Sequence, residues 1–197
     1  MKLMASTSTQ RKATRTTALA LFALIVAACA SAPRETFDLT ADSAPLRSVA
    51  LRGGPAVYVP EPAAVAPTSS DRIVVRAADD SVAVLPGVQW SDPLPRLFQR
   101  RLIEALQRCG LSASSNIGAS IKLQTDVRRF EIDIARDLAV VEVSAELVDG
   151  GGRARLARIF VEEGPAPEHT GSQAARALSD AAVRLALRIG QWTRAAK

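Results

Sequence analysis

The residues of this chain with the most specific chemistry are two cysteines, Cys29 and Cys109, and a single histidine, His169. A histidine acts in catalysis or metal binding together with partner groups within reach of its ring. His169 lies in the turn-forming run Pro167-Glu168-His169-Thr170, around which the sequence clusters no such partners. The pattern favours a solvent-exposed loop histidine. We therefore predict no catalytic residue and no metal site, and we expect no cofactor.

Adjacent carboxylates and a glycine triplet are the remaining candidates for a reactive site. Asp79-Asp80 and Glu162-Glu163 fall in predicted connections, where neighbouring carboxylates usually serve solubility. Glycoside hydrolysis would need two separated carboxylates across a cleft. The triplet Gly150 to Gly152 lacks the lysine, hydroxyl residue and helix that follow a phosphate-binding loop, so it predicts a turn. The chain is predicted not to be an enzyme.

Cys29 closes a short apolar segment near the N-terminus. The stretch from Ala18 to Ala28 ends in small residues, and every charged residue before it is basic. It is too short to cross a hydrocarbon core about 30 Å thick as a helix. The run Val26-Ala27-Ala28-Cys29 resembles the bacterial lipobox, which implies a signal peptide over residues 1–28 and acyl chains on Cys29. The alternatives are a secretory signal whose cleavage site happens to contain cysteine, or a buried N-terminal helix.

Removal of a signal peptide would change the charge of the chain. The formal net charge is +5, and most of it comes from basic residues of that segment, Lys2, Arg11, Lys12 and Arg15. A basic protein can suggest a nucleic-acid partner, but the nearly neutral remainder does not, and none is expected. With Cys29 lipidated, Cys109 could form no intramolecular disulfide. Its position on the apolar stripe of a predicted helix favours a buried side chain.

The first half of the processed chain is predicted to contain short strands. We expect a lipidated tether over residues 29–35 and a single domain over residues 36–197. Alternating apolar residues predict strands over residues 35–40, 56–59, 71–76 and 81–85, the last two forming a hairpin. Three prolines within residues 60–70 predict a loop or an edge connection there.

The second half is predicted to contain two helices and a strand meander. The first helix begins near Trp90, with Ser91 or Asp92 as the cap, and ends at Gly110. Alternation predicts a long strand from Ile121 to Ile134 with a bulge at Arg128-Arg129. Further strands over residues 139–147 and 153–161 are joined by a turn over residues 149–152. A connection over residues 162–171 then precedes a final helix with i,i+4 pairs, Arg176 with Asp180 and Asp180 with Arg184. This order predicts an α/β fold with a mixed, largely antiparallel sheet and two main amphipathic helices.

Several short segments resemble the ABC-type transport auxiliary lipoproteins, which accompany MCE-domain lipid transport systems, as does the paraquat-inducible lipoprotein. They are the lipobox, Phe37-Asp38-Leu39, Asp71-Arg72-Ile73-Val74-Val75-Arg76 and Trp90-Ser91-Asp92-Pro93-Leu94. The likeness runs from Phe37 through the final helix. It departs from the family at Phe37, where tyrosine is usual, and in the segment before Asp71, which is rich in alanine, proline and serine. The resemblance implies a three-layer α/β sandwich without catalytic residues.

The resemblance also implies a function. The chain would be a periplasmic accessory component that docks a phospholipid transporter at the outer membrane. Its partners would be an MCE-domain protein and, through it, an ABC permease and ATPase. Acyl chains on Cys29 would anchor the chain in the membrane. A homo-oligomer is also possible. The alternative is a stand-alone lipid carrier, which would need an apolar cavity of several hundred Å³. An envelope hydrolase is a third hypothesis with less support.

Two groups of residues could contact a partner. Arginines on the first predicted helix and near the bulge could bind an acidic protein or a lipid phosphate, although a solvated face is the simpler interpretation. These are Arg96, Arg100, Arg101, Arg108, Arg128 and Arg129. Trp90 and Trp192 could anchor an interface, with core packing as the default. We predict partner contacts at Arg96, Arg100, Arg101 and Trp90.

Overall fold

The computed structural model describes residues 33–39, 56–116 and 118–196. The predicted signal peptide and Cys29 lie outside the described residues. The strands are β1 (Glu35–Phe37), β2 (Val57–Tyr58), β3 (Ala63–Ala64), β4 (Val74–Arg76), β5 (Val82–Val84), β6 (Val88–Trp90), β7 (Ala113–Ser114), β8 (Ile121–Asp133), β9 (Leu138–Asp149) and β10 (Ala154–Pro165). The helices are α1 (Leu94–Arg108) and α2 (Gly171–Ala195).

Three long antiparallel strands, β10, β9 and β8, lie side by side at one end of an eight-stranded sheet. Val143 of β9 lies opposite Val127 of β8 and opposite Phe160 of β10. The turn between β9 and β10 is closed by Asp149, whose carboxylate accepts a hydrogen bond from the Gly151 amide at 2.9 Å. The hairpin predicted from the glycine triplet is confirmed.

Short parallel strands line the other side of β8. Val57 of β2, Ala63 of β3 and Val74 of β4 pair with successive positions along it. β4 also pairs with β5 in the predicted antiparallel hairpin. Within the proline-rich segment only Ala63 and Ala64 pair, because proline has no amide hydrogen to donate to a ladder. A separate two-stranded parallel sheet joins β1 to β6, and β6 was not predicted.

The predicted bulge in β8 is confirmed. The register with β9 shifts between Val127 and Arg129. Because a strand alternates its side chains between faces, the extra residue brings Val127 and Phe130 to the same face, where each is 1% exposed. The core therefore continues along the whole of β8 despite the change in the apolar pattern.

Both helices pack on this face and against each other. The apolar stripe of α1 is buried at Leu94, Leu97, Phe98, Leu102, Ala105 and Leu106, and Phe98 contacts Phe130 edge to face at 6.5 Å between ring centroids. Trp192 of α2 contacts Phe160 of β10 at 5.6 Å. The predicted fold is confirmed: a mixed, largely antiparallel sheet with two amphipathic helices, consistent with a three-layer sandwich.

The N-terminal cap of α1 differs from the prediction, whereas its C-terminal stop agrees with it. Pro93 occupies the N-cap position, and no side chain caps the helix there, so the expected cap by Ser91 or Asp92 is wrong. At the other end Gly110 has φ +80°, and Leu111 donates a backbone hydrogen bond to Leu106. Glycine adopts this left-handed conformation at little cost, which explains the predicted stop.

β10 runs four residues further than the prediction, to Pro165. Glu162 and Glu163 therefore lie in a strand, and the predicted connection begins only after them. The reason is tertiary, because Arg184 and Arg188 of α2 each approach the Glu162 carboxylate to 2.8 Å. Arg184 thus pairs with β10 in place of the predicted partner Asp180.

Gly190 of α2 lies in a close contact between the two helices. A Cβ atom added there would meet Cys109 Sγ at 3.0 Å and the Ala105 carbonyl oxygen at 3.2 Å. We expect Gly190→Val to lower the free energy of unfolding by about 1–3 kcal/mol, because overpacking forces neighbours apart. Urea unfolding would measure this, with Gln191→Val on the exposed side as control. Equal losses in the two variants would contradict the tight contact.

Candidate docking surface

Arg96 and Arg100 project from the outward side of α1. They are four residues apart, which places them on one face of the helix. Their side chains are 61% and 57% exposed. Of the four residues predicted to contact a partner, Arg96, Arg100, Arg101 and Trp90, these two are the ones that the structure leaves at the surface.

Acidic residues from three neighbouring segments surround these arginines. Arg96 lies 3.6 Å from the Glu61 carboxylate and 3.7 Å from that of Asp92, and Arg100 lies 3.7 Å from Asp38. These distances exceed the 2.7–2.9 Å typical of a charge-assisted hydrogen bond, and exposed pairs contribute at most about 1 kcal/mol. We call these five residues the α1 surface. It carries both signs of charge, with guanidinium groups free to exchange partners.

Arg101 and Trp90 are not at the surface. The Arg101 side chain is 13% exposed and lies 2.6 Å from Glu104. Trp90 is 1% exposed and packs edge to face on Phe130 at 5.9 Å. Because Trp90 ends β6, which pairs with β1 at Phe37, it is held in the core. The structure thus corrects the expectation that Trp90 and Arg101 face a partner.

The sheet face opposite the helices carries an ion-pair network that sequence reasoning missed. Glu131 of β8, whose side chain is 5% exposed, lies 2.8 Å from Arg76 of β4 and 2.7 Å from Arg129. Asp133 lies 2.8 Å from Arg136. The pairing of β4 with β8 brings Arg76 to Glu131 across 55 residues of sequence, whereas the other two pairs are local. The charge pattern along β8 was the available signal, but its partners are set by the register with β4.

Two carboxyl groups on this sheet have lowered pKa values. Burial acts to raise the pKa of Asp133, but the hydrogen bond and charge of Arg136, with a smaller contribution from Arg129, outweigh it and lower the pKa. Burial also acts to raise the pKa of Glu162, but hydrogen bonds from Arg184 and Arg188 outweigh it and lower the pKa. Both groups therefore favour the folded state when ionised.

We expect the protein to lose stability in acid as these two groups take up protons. A carboxyl with a lowered folded pKa stabilises the fold above its unfolded pKa, about 3.9 for Asp and 4.3 for Glu. That contribution is lost as the pH falls through the folded value. Urea unfolding over a pH series should show a smaller acid loss in Glu162→Gln than in the wild type. Glu168→Gln, exposed in the connection before α2, is the control, and an unchanged profile in Glu162→Gln would contradict the assignment.

His169 and Cys109 occupy structural positions. His169 Nε2 lies 2.7 Å from the Asp137 carboxylate, with the ring 26% exposed, so it links the connection before α2 to the turn after β8. Cys109 is the half-buried C-cap of α1. Burial raises the pKa of its thiol, partly offset by Arg194, which disfavours the nucleophilic thiolate.

Two clefts in the described part of the chain are small. One, of about 170 Å³, is open and lined by residues 165–168 and by Gln173, Arg176, Ala177 and Asp180 of α2. Another, between the helices, holds about 10 Å³. Small-molecule sites usually measure 300–1,000 Å³. Among the described residues no group of three or more His, Cys, Asp and Glu is placed to hold a metal.

Neither described helix combines the length and the apolar character needed to span a membrane.

Three similar proteins place the fold among known ones. A protein of Bradyrhizobium diazoefficiens, "Uncharacterized protein bll6063", is 32% identical over 145 residues, which are 68% of this chain and 38% of that protein. The chain thus spans well under half of this relative. Protein XCC0632 from Xanthomonas campestris, of the DUF330 family, has a solved structure with a TM-score of 0.65 at 23% identity, over 83% of this chain and 87% of that one. A second solved structure, of an uncharacterized protein, gives a TM-score of 0.68 at 15% identity, over 82% and 99% of the two chains.

The family comparison covers almost the whole folded unit. The family model described as "ABC-type transport auxiliary lipoprotein component" matches residues 37–190, and no enzymatic domain is indicated by it. The resemblance found in the sequence is confirmed. The chain belongs to the family of ABC-type transport auxiliary lipoprotein components.

Proposed function

We propose that this chain is a lipid-anchored periplasmic accessory component of an MCE/ABC-type phospholipid transport system, docking the transporter at the outer membrane. The observation that carries the proposal is the family match over residues 37–190, which spans nearly all of the compact unit Arg34–Lys197. An accessory role agrees with the structural positions of His169 and Cys109. The energy for transport would come from the ATPase elsewhere in the complex.

In this proposal residues 1–28 are removed, and acyl chains on Cys29 anchor the protein in the membrane. Each buried methylene contributes about 0.8 kcal/mol, and two or more chains give stable anchoring. Residues 29–35 act as the tether of the domain at 36–197. Ala30 and Ser31 follow the cysteine, without the aspartate that retains many lipoproteins at the inner membrane, which supports the outer membrane as the destination.

The α1 surface is the docking face that we propose for the MCE-domain partner. Its guanidinium groups are exposed and only loosely paired, so a partner carboxylate can replace Asp38 or Glu61 without breaking a strong bond. Its mixed charge favours a partner surface that is also mixed. Complementary charges of this kind contribute to specificity and association rate more than to affinity.

We expect the double variant Arg96→Glu with Arg100→Glu to lower co-purification of the MCE protein about ten-fold. Each reversal turns an attraction of up to about 1 kcal/mol into a repulsion, and about 1.4 kcal/mol is a factor of ten in affinity. Both side chains are exposed, so the melting temperature should stay near that of the wild type. Arg176→Glu, exposed on α2, is the control. Undiminished co-purification would exclude this face.

The carrier hypothesis makes a different prediction for the same purified material. A carrier would retain phospholipid within the domain, whereas the clefts described above are too small or too open to enclose an acyl chain. Native mass spectrometry of the protein purified from cells separates the hypotheses. A bound MCE protein supports docking. Retained phospholipid beyond the acyl chains on Cys29, with no protein partner, would overturn it.

A further inference from the structure

β10 is an edge strand of the main sheet, since within the described chain it pairs only with β9. Its first six residues, Ala154–Ile159, are all exposed. We call this stretch the free edge. It includes large apolar side chains, with Leu156 46% and Ile159 52% exposed.

The second half of β10 is closed by arginines from α2. Arg188 donates a hydrogen bond to the Val161 carbonyl at 2.8 Å, and Arg184 donates one to the Glu163 carbonyl at 3.3 Å. In an antiparallel ladder, every second residue points both its N–H and its C=O away from the paired strand. The two contacts identify Val161 and Glu163 as members of that outward set.

The same alternation places Ala157 and Ile159 in the outward set, because the register with β9 is regular from Leu156 to Pro165. Among the described residues no side chain reaches their outward N–H or C=O groups. Proteins usually cover or block such an edge. Here one half is blocked by α2 and the other half is left open.

The free edge and the turn before it are basic. Arg153, Arg155 and Arg158 lie there, and the sequence contains no acidic residue from Gly150 to Val161. The Arg155 guanidinium is 70% exposed and lies 3.9 Å from Asp149, while Arg158 lies over the Phe160 ring at 5.1 Å. We propose that the free edge binds an extended, acidic segment of a partner protein as an added β-strand. Main-chain hydrogen bonds to Ala157 and Ile159 would supply affinity, and the arginines would select carboxylates.

A membrane surface fits these observations less well. Leu156 and Ile159 differ by an odd number of positions, so they point to opposite faces of the strand and could not both enter one bilayer. Hydrocarbon also offers no partner for the outward N–H and C=O groups. An added strand satisfies the backbone and contacts side chains on both faces.

A second copy of the chain also fits less well. Antiparallel pairing centred on Ile159 would need the Val161 carbonyl, which Arg188 already occupies. Pairing centred on Ala157 would place Arg158 of one copy diagonally across from Arg158 of the other on the same face, without an intervening carboxylate, and close like charges are unfavourable. The inference goes beyond the proposed transport role, because it requires an acidic strand and no MCE protein.

Two synthetic peptides test the proposal on the full chain purified in detergent. One consists of glutamate alternating with valine over ten residues, and the other replaces each glutamate with lysine. We expect the glutamate peptide to bind about ten-fold more tightly or better by fluorescence anisotropy. It should also protect the amides of Ala157 and Ile159 from hydrogen exchange.

Variants locate the binding on β10. Ile159→Pro removes an outward N–H that the β9 ladder does not use, so the fold should survive while binding is lost. Arg155→Glu with Arg158→Glu should reverse the preference between the peptides, and Arg176→Glu should change nothing. Equal binding of both peptides, or binding unaffected by Ile159→Pro, would overturn the proposal. So would binding to anionic phosphatidylglycerol vesicles, or a dimer sensitive to Ile159→Pro, in the absence of peptide binding.

Discussion

Replacing Cys29 with serine is expected to move the protein from the membrane fraction to the soluble fraction. In the proposed lipoprotein the Cys29 thiol receives the diacylglycerol, and a serine hydroxyl cannot take its place, so no acyl chain would be attached there. A single myristoyl chain gives only marginal binding, about 10⁴ M⁻¹, and stable anchoring needs a second signal. Loss of all chains should therefore lower membrane partitioning by far more than ten-fold. Detergent phase partitioning and the intact mass of the purified protein would measure it.

Cys109→Ser is the matched control, because Cys109 is the other cysteine of the chain. It caps α1 inside the folded unit. Its replacement should leave the intact mass of the processed protein, apart from the substitution itself, and the membrane partitioning as in the wild type. If Cys29→Ser kept its membrane partitioning, or if the wild-type mass showed no added acyl groups, lipid anchoring at this residue would be excluded. The docking proposal would then lose its attachment to the bilayer.

The second large effect is expected from Phe130→Ala. Phe130 is 1% exposed and contacts both Trp90 and Phe98 edge to face. Truncating a buried phenylalanine costs about 3–5 kcal/mol, and each aromatic contact adds about 0.5–1.5 kcal/mol beyond area. We expect the free energy of unfolding to fall by about 4 kcal/mol. A urea titration monitored by tryptophan fluorescence would measure this.

Phe130→Leu separates the apolar volume from the aromatic contacts. It keeps most of the buried surface and should cost about 1–2 kcal/mol. A change in Phe130→Ala no larger than that of a surface substitution would show that β8, α1 and β6 do not share one core at this residue. The pairing of Trp90 beneath α1 would then need another explanation.

The two surfaces proposed for binding differ in their physical character. The α1 surface offers exposed, loosely paired side chains on a rigid helix, and so depends on charge complementarity. The free edge of β10 offers backbone groups as well, and so depends on the conformation of its ligand. The Arg96→Glu and Arg100→Glu variant tests the α1 surface, and the Ile159→Pro variant tests the free edge, so the two outcomes are independent.

Periodic patterns predicted the elements that depend on local sequence. The stripe of α1, the alternation in β8 and β9, the Gly110 stop and the bulge before Phe130 all follow from which side chains must reach one apolar face. Elements held by pairing alone were missed or misplaced. β6 is three residues long and exists because Phe37 lies opposite Trp90.

The candidate site was predicted in part for the same reason. Helical spacing correctly placed Arg96 and Arg100 on an outer face, whereas Arg101 is one position further around the helix and packs beside Glu104. The network around Glu131 joins β4 to β8 across distant parts of the chain. Its register depends on the whole sheet, which no local pattern contains.

The sequence by itself determined the helices, the long strands, the family and the expectation of a lipid anchor, because periodicity and short motifs are local properties. The tertiary structure alone decided which polar groups are covered. Arg184 and Arg188 close one half of β10 by reaching across from α2, and the other half stays open. Coverage depends on packing between elements far apart in the chain, so it could be seen only once the chain was folded.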